Sequence, residues 1–234
     1  MRLFTVSMMS LALAPAALGG LAIGDVQYNP DLSGSGLVGS SGPFYTSGTP
    51  SWLDPANLLV SMSSPIMGIP GFEQFVGTVE SYAYLNGNTI GLAYSIHLEP
   101  NSADRLVRAS VGPEGWSGVS IFETGSDGLG SSTPTTGAVN WSDGDPHFIG
   151  RDFVTAAPYW QFRLGNIGST LDGGQSSSLI WFETNSRQIG EVPITLQDGG
   201  AVGGARVLTI PEPASLALLV FGAGFFAIDR KRTA

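Results

Sequence analysis

Between Phe75 and Leu98 two runs of alternating apolar and polar residues face each other across one turn signal, and no other feature of the chain restricts its fold as strongly. The arms, Phe75 to Leu85 and Thr89 to Leu98, flank Leu85-Asn86-Gly87-Asn88, and Asn-Gly is the dipeptide that a type I′ turn prefers. In the second arm Ile90, Leu92, Tyr94, Ile96 and Leu98 alternate with Gly91, Ala93, Ser95, His97 and Glu99. A period of two puts one set on a buried face and the other on a wet face, so the segment predicts a β-hairpin.

The rest of the central region repeats this character. Short apolar stretches predict strands near Leu58–Met62, Arg105–Val111, Val119–Glu123, His147–Phe153, Tyr159–Leu164, Leu179–Thr184, Val192–Leu196 and Arg206–Ile210, each bounded by Gly, Pro, Asn or Asp. Trp160, Phe162 and Leu164 alternate with Tyr159, Gln161 and Arg163, and Trp160 and Trp181 fall in apolar strand patterns that predict core positions. No segment sustains helical periodicity over about a dozen residues. The expected fold is all-β, an antiparallel β-sandwich of jelly-roll or Greek-key type over residues 57–210. There is no internal repeat of the kind a propeller or solenoid requires.

Composition narrows the chemistry. The chain has 234 residues, no Cys, a single Lys and a net charge of −9. Without Cys there are no disulfide frameworks, Cys₄ zinc sites, iron–sulfur clusters or thiol nucleophiles. From Asp25 to Ile210 six Arg and no Lys stand against 17 Asp or Glu, a net of −11, and the acid excess argues against electrostatic nucleic-acid binding. Such an acidic, Gly- and Ser-rich surface suits a secreted protein kept soluble by charge.

The two ends carry addresses. Residues 1–24 read as a signal peptide for a leader (signal) peptidase: Arg2 is the positive start, Leu3 to Leu13 are mostly apolar, and small residues follow. Ala22 and Gly24 fit the cleavage pattern, leaving Asp25 as the new N-terminus, and a cut after Ala22 fits almost as well. Residues 25–56 are expected to be a linker or surface loop, since six Ser, five Gly and two Pro fill 13 of the 21 positions from Asp31 to Ser51. At the other end (residues 211–234) Pro211-Glu212-Pro213 precedes an uncharged run from Ala214 through Leu216, Leu218, Leu219, Val220, Phe221, Phe225 and Phe226 to Ile228. As a helix its 15 residues cover roughly 22 Å, short of a hydrocarbon core of about 30 Å, a deficit that local thinning and snorkelling absorb. Asp229 and the cluster Arg230-Lys231-Arg232 then form a basic stop that holds a span with its C-terminus in the cytoplasm.

Pro211-Glu212-Pro213-Ala214-Ser215-Leu216-Ala217-Leu218-Leu219, a Gly-containing apolar run and Arg230-Lys231-Arg232, in that order, resemble the PEP-CTERM sorting signal. The resemblance covers about the last 25 residues. It implies recognition of the Pro-Glu-Pro region by a membrane-embedded exosortase, transient anchoring in the inner membrane of a Gram-negative-type bacterium, and release to the envelope or exopolysaccharide matrix. One departure is Ile228-Asp229, which stands where family members run straight into arginines. The resemblance says little about the body, whose role is expected to be structural or adhesive in exopolysaccharide or biofilm and not enzymatic.

Candidate sites in the body are sparse. There are two His and no Gly-x-Ser-x-Gly elbow, and no phosphate-binding or dinucleotide motif is present. His97 reads as a polar residue on the wet face of its strand. Asp143, Asp145 and His147 recur at alternate positions and would point one way in an extended segment; the carboxylates suit Ca²⁺ and His147 suits it less, but no EF-hand spacing is present and a solvated turn between strands is the expected reading. No other cofactor or metal is expected. A carbohydrate-binding module of the matrix is the alternative function, with Trp116, Trp141 beside Asp143, and the Tyr82/Tyr84 pair with Glu80 as aromatic platforms. An extracellular hydrolase is third: Glu80, Glu99, Glu123 and Glu183 lie on or at the ends of predicted strands, but their spacing selects no pair. Thr133, Thr135 and Thr136 are too few for a flat ice-binding array.

Overall fold

The computed structural model of the chain describes residues 21–28, 45–68, 75–131, 133–134, 144–164, 167–198 and 201–211. These residues form an all-β structure. One sheet has seven strands in the order β1 (Val26–Tyr28), β10 (Phe148–Arg151), β11 (Pro158–Gln161), β7 (Arg108–Val111), β15 (Gly190–Asp198), β16 (Ala201–Thr209) and β4 (Met67–Gly68). A second has six: β2 (Tyr45–Ser47), β8 (Ile121–Ser126), β14 (Ile180–Thr184), β6 (Thr89–Leu98), β5 (Gly77–Asn86) and β3 (Leu58–Pro65). β12 (Arg163–Leu164), β13 (Ile167–Thr170) and β9 (Thr133–Pro134) make a small third sheet. Pairing in the two large sheets is antiparallel except for β2, which runs parallel to β8.

The alternation in β6 has the expected result: Leu92, Tyr94, Ile96 and Leu98 are fully buried and His97 is half-buried on the opposite face. Their face shares one apolar core with Ala109, Trp160, Ile194 and Val207 of the seven-stranded sheet. Tyr94 stacks on Trp160 with ring centroids 5.5 Å apart. Each large apolar side chain buried this way is worth about 1.5–3 kcal/mol.

The edge of β16 near its C-terminal end is closed by side chains. Ser81 Oγ accepts from the Leu208 amide at 3.0 Å and the Tyr94 hydroxyl donates to the Leu208 carbonyl at 2.8 Å. Two polar groups on an otherwise apolar inner face thereby satisfy backbone groups that no neighbouring strand reaches.

Two local expectations change. The hairpin turn is Gly87-Asn88, between the paired Asn86 and Thr89, and only Gly87 has positive φ (61°). Glycine at the first central position with an ordinary second residue is the type II′ pattern, not I′. The segment read as linker contributes to the fold: Tyr45–Ser47 pairs with β8, and a 3₁₀ turn at Ser51–Leu53 buries Trp52 and Leu53. A second 3₁₀ turn, Pro55–Asn57, is capped by Asp54 Oδ1, which accepts from the Ala56 amide at 2.8 Å. Among the described residues no helix is long and apolar enough to cross a membrane; the expected span, 214–228, lies outside them.

At the N-terminal side Leu21 is buried and bridges Ile121. The buried Arg151 guanidinium donates to the carbonyls of Leu21 (3.3 Å), Trp116 (2.8 Å) and Ala156 (2.9 Å). This one cation joins the N-terminal segment, the loop after β7 and the turn after β10. Burial lowers its pKa below the ordinary arginine value.

Candidate functional site

Sequence alternation places the odd-numbered residues of β6 and the even-numbered residues of β5 on the outer face of the six-stranded sheet. There an aromatic cluster forms a small second core. Trp52 lies edge-on to Trp181 at 5.7 Å and to Tyr84 at 6.0 Å, with Leu53 and Ala93 beneath. It can lie on the sheet because residue 91 is Gly: a Cβ there would fall 2.3 Å from the Trp52 ring. Trp181 Nε1 donates to the Gly48 carbonyl at 3.1 Å, tying the former linker to the sheet.

Tyr82 continues this strip. Its ring is tilted against Tyr84 at 6.3 Å, it is half-buried, and its hydroxyl donates to the Glu80 carboxylate. Burial first, then the bond to Glu80, raises the phenol above its ordinary pKa, so Tyr82 remains a neutral donor.

The register adds a pair that sequence spacing did not select. Glu123 of β8 stands directly opposite Glu183 of β14, and Gly91, beneath Trp52, flanks Glu183 on the other side. Directly opposed residues hold their Cβ atoms about 4.5–5.5 Å apart. Asn86 Nδ2, at the end of the hairpin, donates to Glu183 Oε1 at 2.8 Å. Two carboxylates, an amide and a half-exposed tyrosine beside packed tryptophans can bond ligand hydroxyls and shield an apolar ring face. The signal was cross-strand register, which only a pairing scheme supplies.

Other expected candidates are placed differently. Trp116 is fully buried, packed edge-on to Phe182 at 6.5 Å, so neither ring face is open to a sugar; its loop folds back into the core because Arg151 holds its carbonyl. Trp141 and Asp143 lie outside the described residues. Asp145 and His147 are buried instead of forming a solvated turn, and burial lowers the His147 pKa. Packing accounts for this: the Gly144 carbonyl accepts from the Ser178 amide and the His147 amide donates to Gln161. No group of three His, Cys, Asp or Glu among the described residues could hold a metal. His97 faces outward and pairs its Nδ1 with Ser176 Oγ at 2.8 Å. Glu99 is exposed beyond the end of β6.

Two cavities lie elsewhere. One of about 210 Å³ is lined by Arg108, Asp152, Thr155 and Tyr159, and the Arg108 guanidinium sits 4.2 Å over the Tyr159 ring, covering the face a sugar would use. The other, about 310 Å³, is lined by Val119, Asn185, Arg187, Ile210 and Pro211. Ile210 is buried and Pro211 half-buried, so the first residue of the Pro-Glu-Pro motif sits at the body surface; Glu212 and Pro213, the apolar run and the basic cluster lie outside the described residues.

No family model, curated protein or solved structure matches the chain.

Proposed function

We propose that the chain is an exported envelope or matrix protein, sorted by an exosortase through its C-terminal tail, whose β body serves a non-enzymatic structural or adhesive role in exopolysaccharide. The observation that carries the reading is the order Pro211-Glu212-Pro213, uncharged run, Arg230-Lys231-Arg232. The buried Ile210 and half-buried Pro211 support it, because they put the start of the motif at the surface of the body. Two sheets that share one core favour a β-sandwich as the body architecture, with the apolar run as its transient membrane helix. The burial of Leu21 favours a leader cut upstream of it, after Gly19, with Ala17 and Gly19 as the small residues; cuts after Ala22 or Gly24 would remove a core side chain. Fractionation tests the proposal: the protein should accumulate outside the inner membrane, and Glu212→Ala with Pro213→Ala should retain it in that membrane.

The carbohydrate-binding reading rests on the outer strip around Tyr82, Glu80 and the Glu123–Glu183 pair. Retention on host exopolysaccharide, reduced at least tenfold by Tyr82→Ala, would favour it over a purely structural role. Sugar release abolished by Glu183→Gln would instead favour the hydrolase.

A further inference from the structure

The end of the body from which the tail leaves is also its apolar end. In the seven-stranded sheet β7 ends at Val111 beside Ile194 of β15, and Thr209 pairs with Gly190 farther along the same direction. The turn after β10 and the start of β1 share that end, since Tyr159 pairs with Ser110 and Val26 with Gly150. In the six-stranded sheet Thr184 pairs with Ile121, and the Ile90 amide donates to Ser186. The Asn86–Thr89 turn and the start of β3 therefore lie at this end too, with Leu58 opposite Tyr84.

Eight of the ten exposed large apolar side chains among the described residues sit here. Phe153 and Val154 lead them at 81% and 87% exposure, with Ile23, Leu59, Leu85 and Phe122 around them. Phe122 is turned outward where a register shift in β8 interrupts the pairing. Of the other two, Leu129 follows β8 at the opposite end, and Met67 lies mid-sheet on the edge strand β4, paired with Gly204. The ionisable groups at this end, Asp25, Asp54, Glu114, Glu123, Asp152, Glu183 and Glu191 against Arg187 and Arg206, leave it acidic and would not draw it to an anionic surface, so apolar contact is what it offers.

We infer that this end, with Phe153 and Val154 at its tip, rests in the lipid interface while the tail anchors the chain. The inference depends on the reading of Ala214 to Ile228 as a span. Only Glu212 and Pro213 separate Pro211 from Ala214, and the three Cα-to-Cα steps make a tether of roughly 10 Å when extended. A headgroup layer is about 5–7 Å on each side of the hydrocarbon, so the tether keeps the exit end against the bilayer. Apolar side chains at that depth leave water for the acyl boundary.

The chain has no cysteine, so single nitroxide labels at Val154→Cys, Leu129→Cys and Leu219→Cys report depth cleanly. The membrane-purified chain that retains its tail is reconstituted in vesicles of phosphatidylethanolamine with a minority of phosphatidylglycerol. Label collisions with oxygen are compared with those of a water-soluble nickel chelate. The expected oxygen-to-nickel ratio is several-fold higher at Val154 and Leu219 than at Leu129. A high ratio at Leu219 with Val154 equal to Leu129 overturns this inference and leaves the span intact. A Leu219 ratio as low as that of Leu129 overturns both.

Discussion

The Tyr94 hydroxyl, projecting from β6, donates at 2.8 Å to the Leu208 carbonyl of β16 and so links the two large sheets through a buried hydrogen bond. Burial keeps the phenol neutral, with its pKa raised well above the ordinary value. Tyr94→Phe leaves that carbonyl dry and should cost about 1–3 kcal/mol in urea unfolding, with the ring packing on Trp160 retained. A change below the measurement error would mean that water replaces the bond.

Arg151 should be more sensitive. Its three acceptors are all main-chain carbonyls from separate segments, and hydrogen bonds to charged groups are worth about 1.5–3 kcal/mol. Arg151→Met should destabilise by at least about 3 kcal/mol, and Arg151→Lys, which reaches fewer acceptors, by less. Thermal unfolding of the two variants gives the order; equal melting temperatures would contradict it.

Gly91→Ala should expel Trp52 from the outer face, because the added Cβ would meet the ring at 2.3 Å. The expected cost is about 1–3 kcal/mol, with tryptophan emission shifted to longer wavelength. Unchanged emission would show that the ring stays packed.

Asp198 provides a pH test. Burial, then the hydrogen bond it shares with Asp104, pushes its carboxyl up to about 6 from 3.8. The folded state therefore holds a proton that the unfolded chain has released between those values. The contribution is present below about pH 4 and is lost as pH rises through about 6. Asp198→Asn should consequently gain stability relative to the native chain as pH increases from 4 to 7. Melting curves whose difference is flat across that interval would contradict the assignment.

What was legible in the sequence follows the reach of local patterns. Period-two alternation located β5 and β6 because each strand has one face in the core. Seven of the eight other expected strands each correspond to an observed one with ends displaced by a few residues, and Tyr159–Leu164 is divided between β11 and β12 of different sheets. Trp116 was misread because a loop tryptophan after Pro113-Glu114-Gly115 has no periodicity, and its burial depends on Arg151, far along the chain. Trp52 and β2 were hidden in Gly- and Ser-rich surroundings; the pairing of Tyr45–Ser47 with β8 is a long-range contact. The Glu123–Glu183 pair arises from register, which two separate strand patterns do not encode.

Intact mass and both termini of the native protein, taken separately from the envelope and the culture medium, test the central claim most directly. The account predicts a chain that begins at Gly20 and ends within Pro211 to Pro213. A chain found only in the membrane fraction and still carrying Arg230 to Arg232 would contradict it.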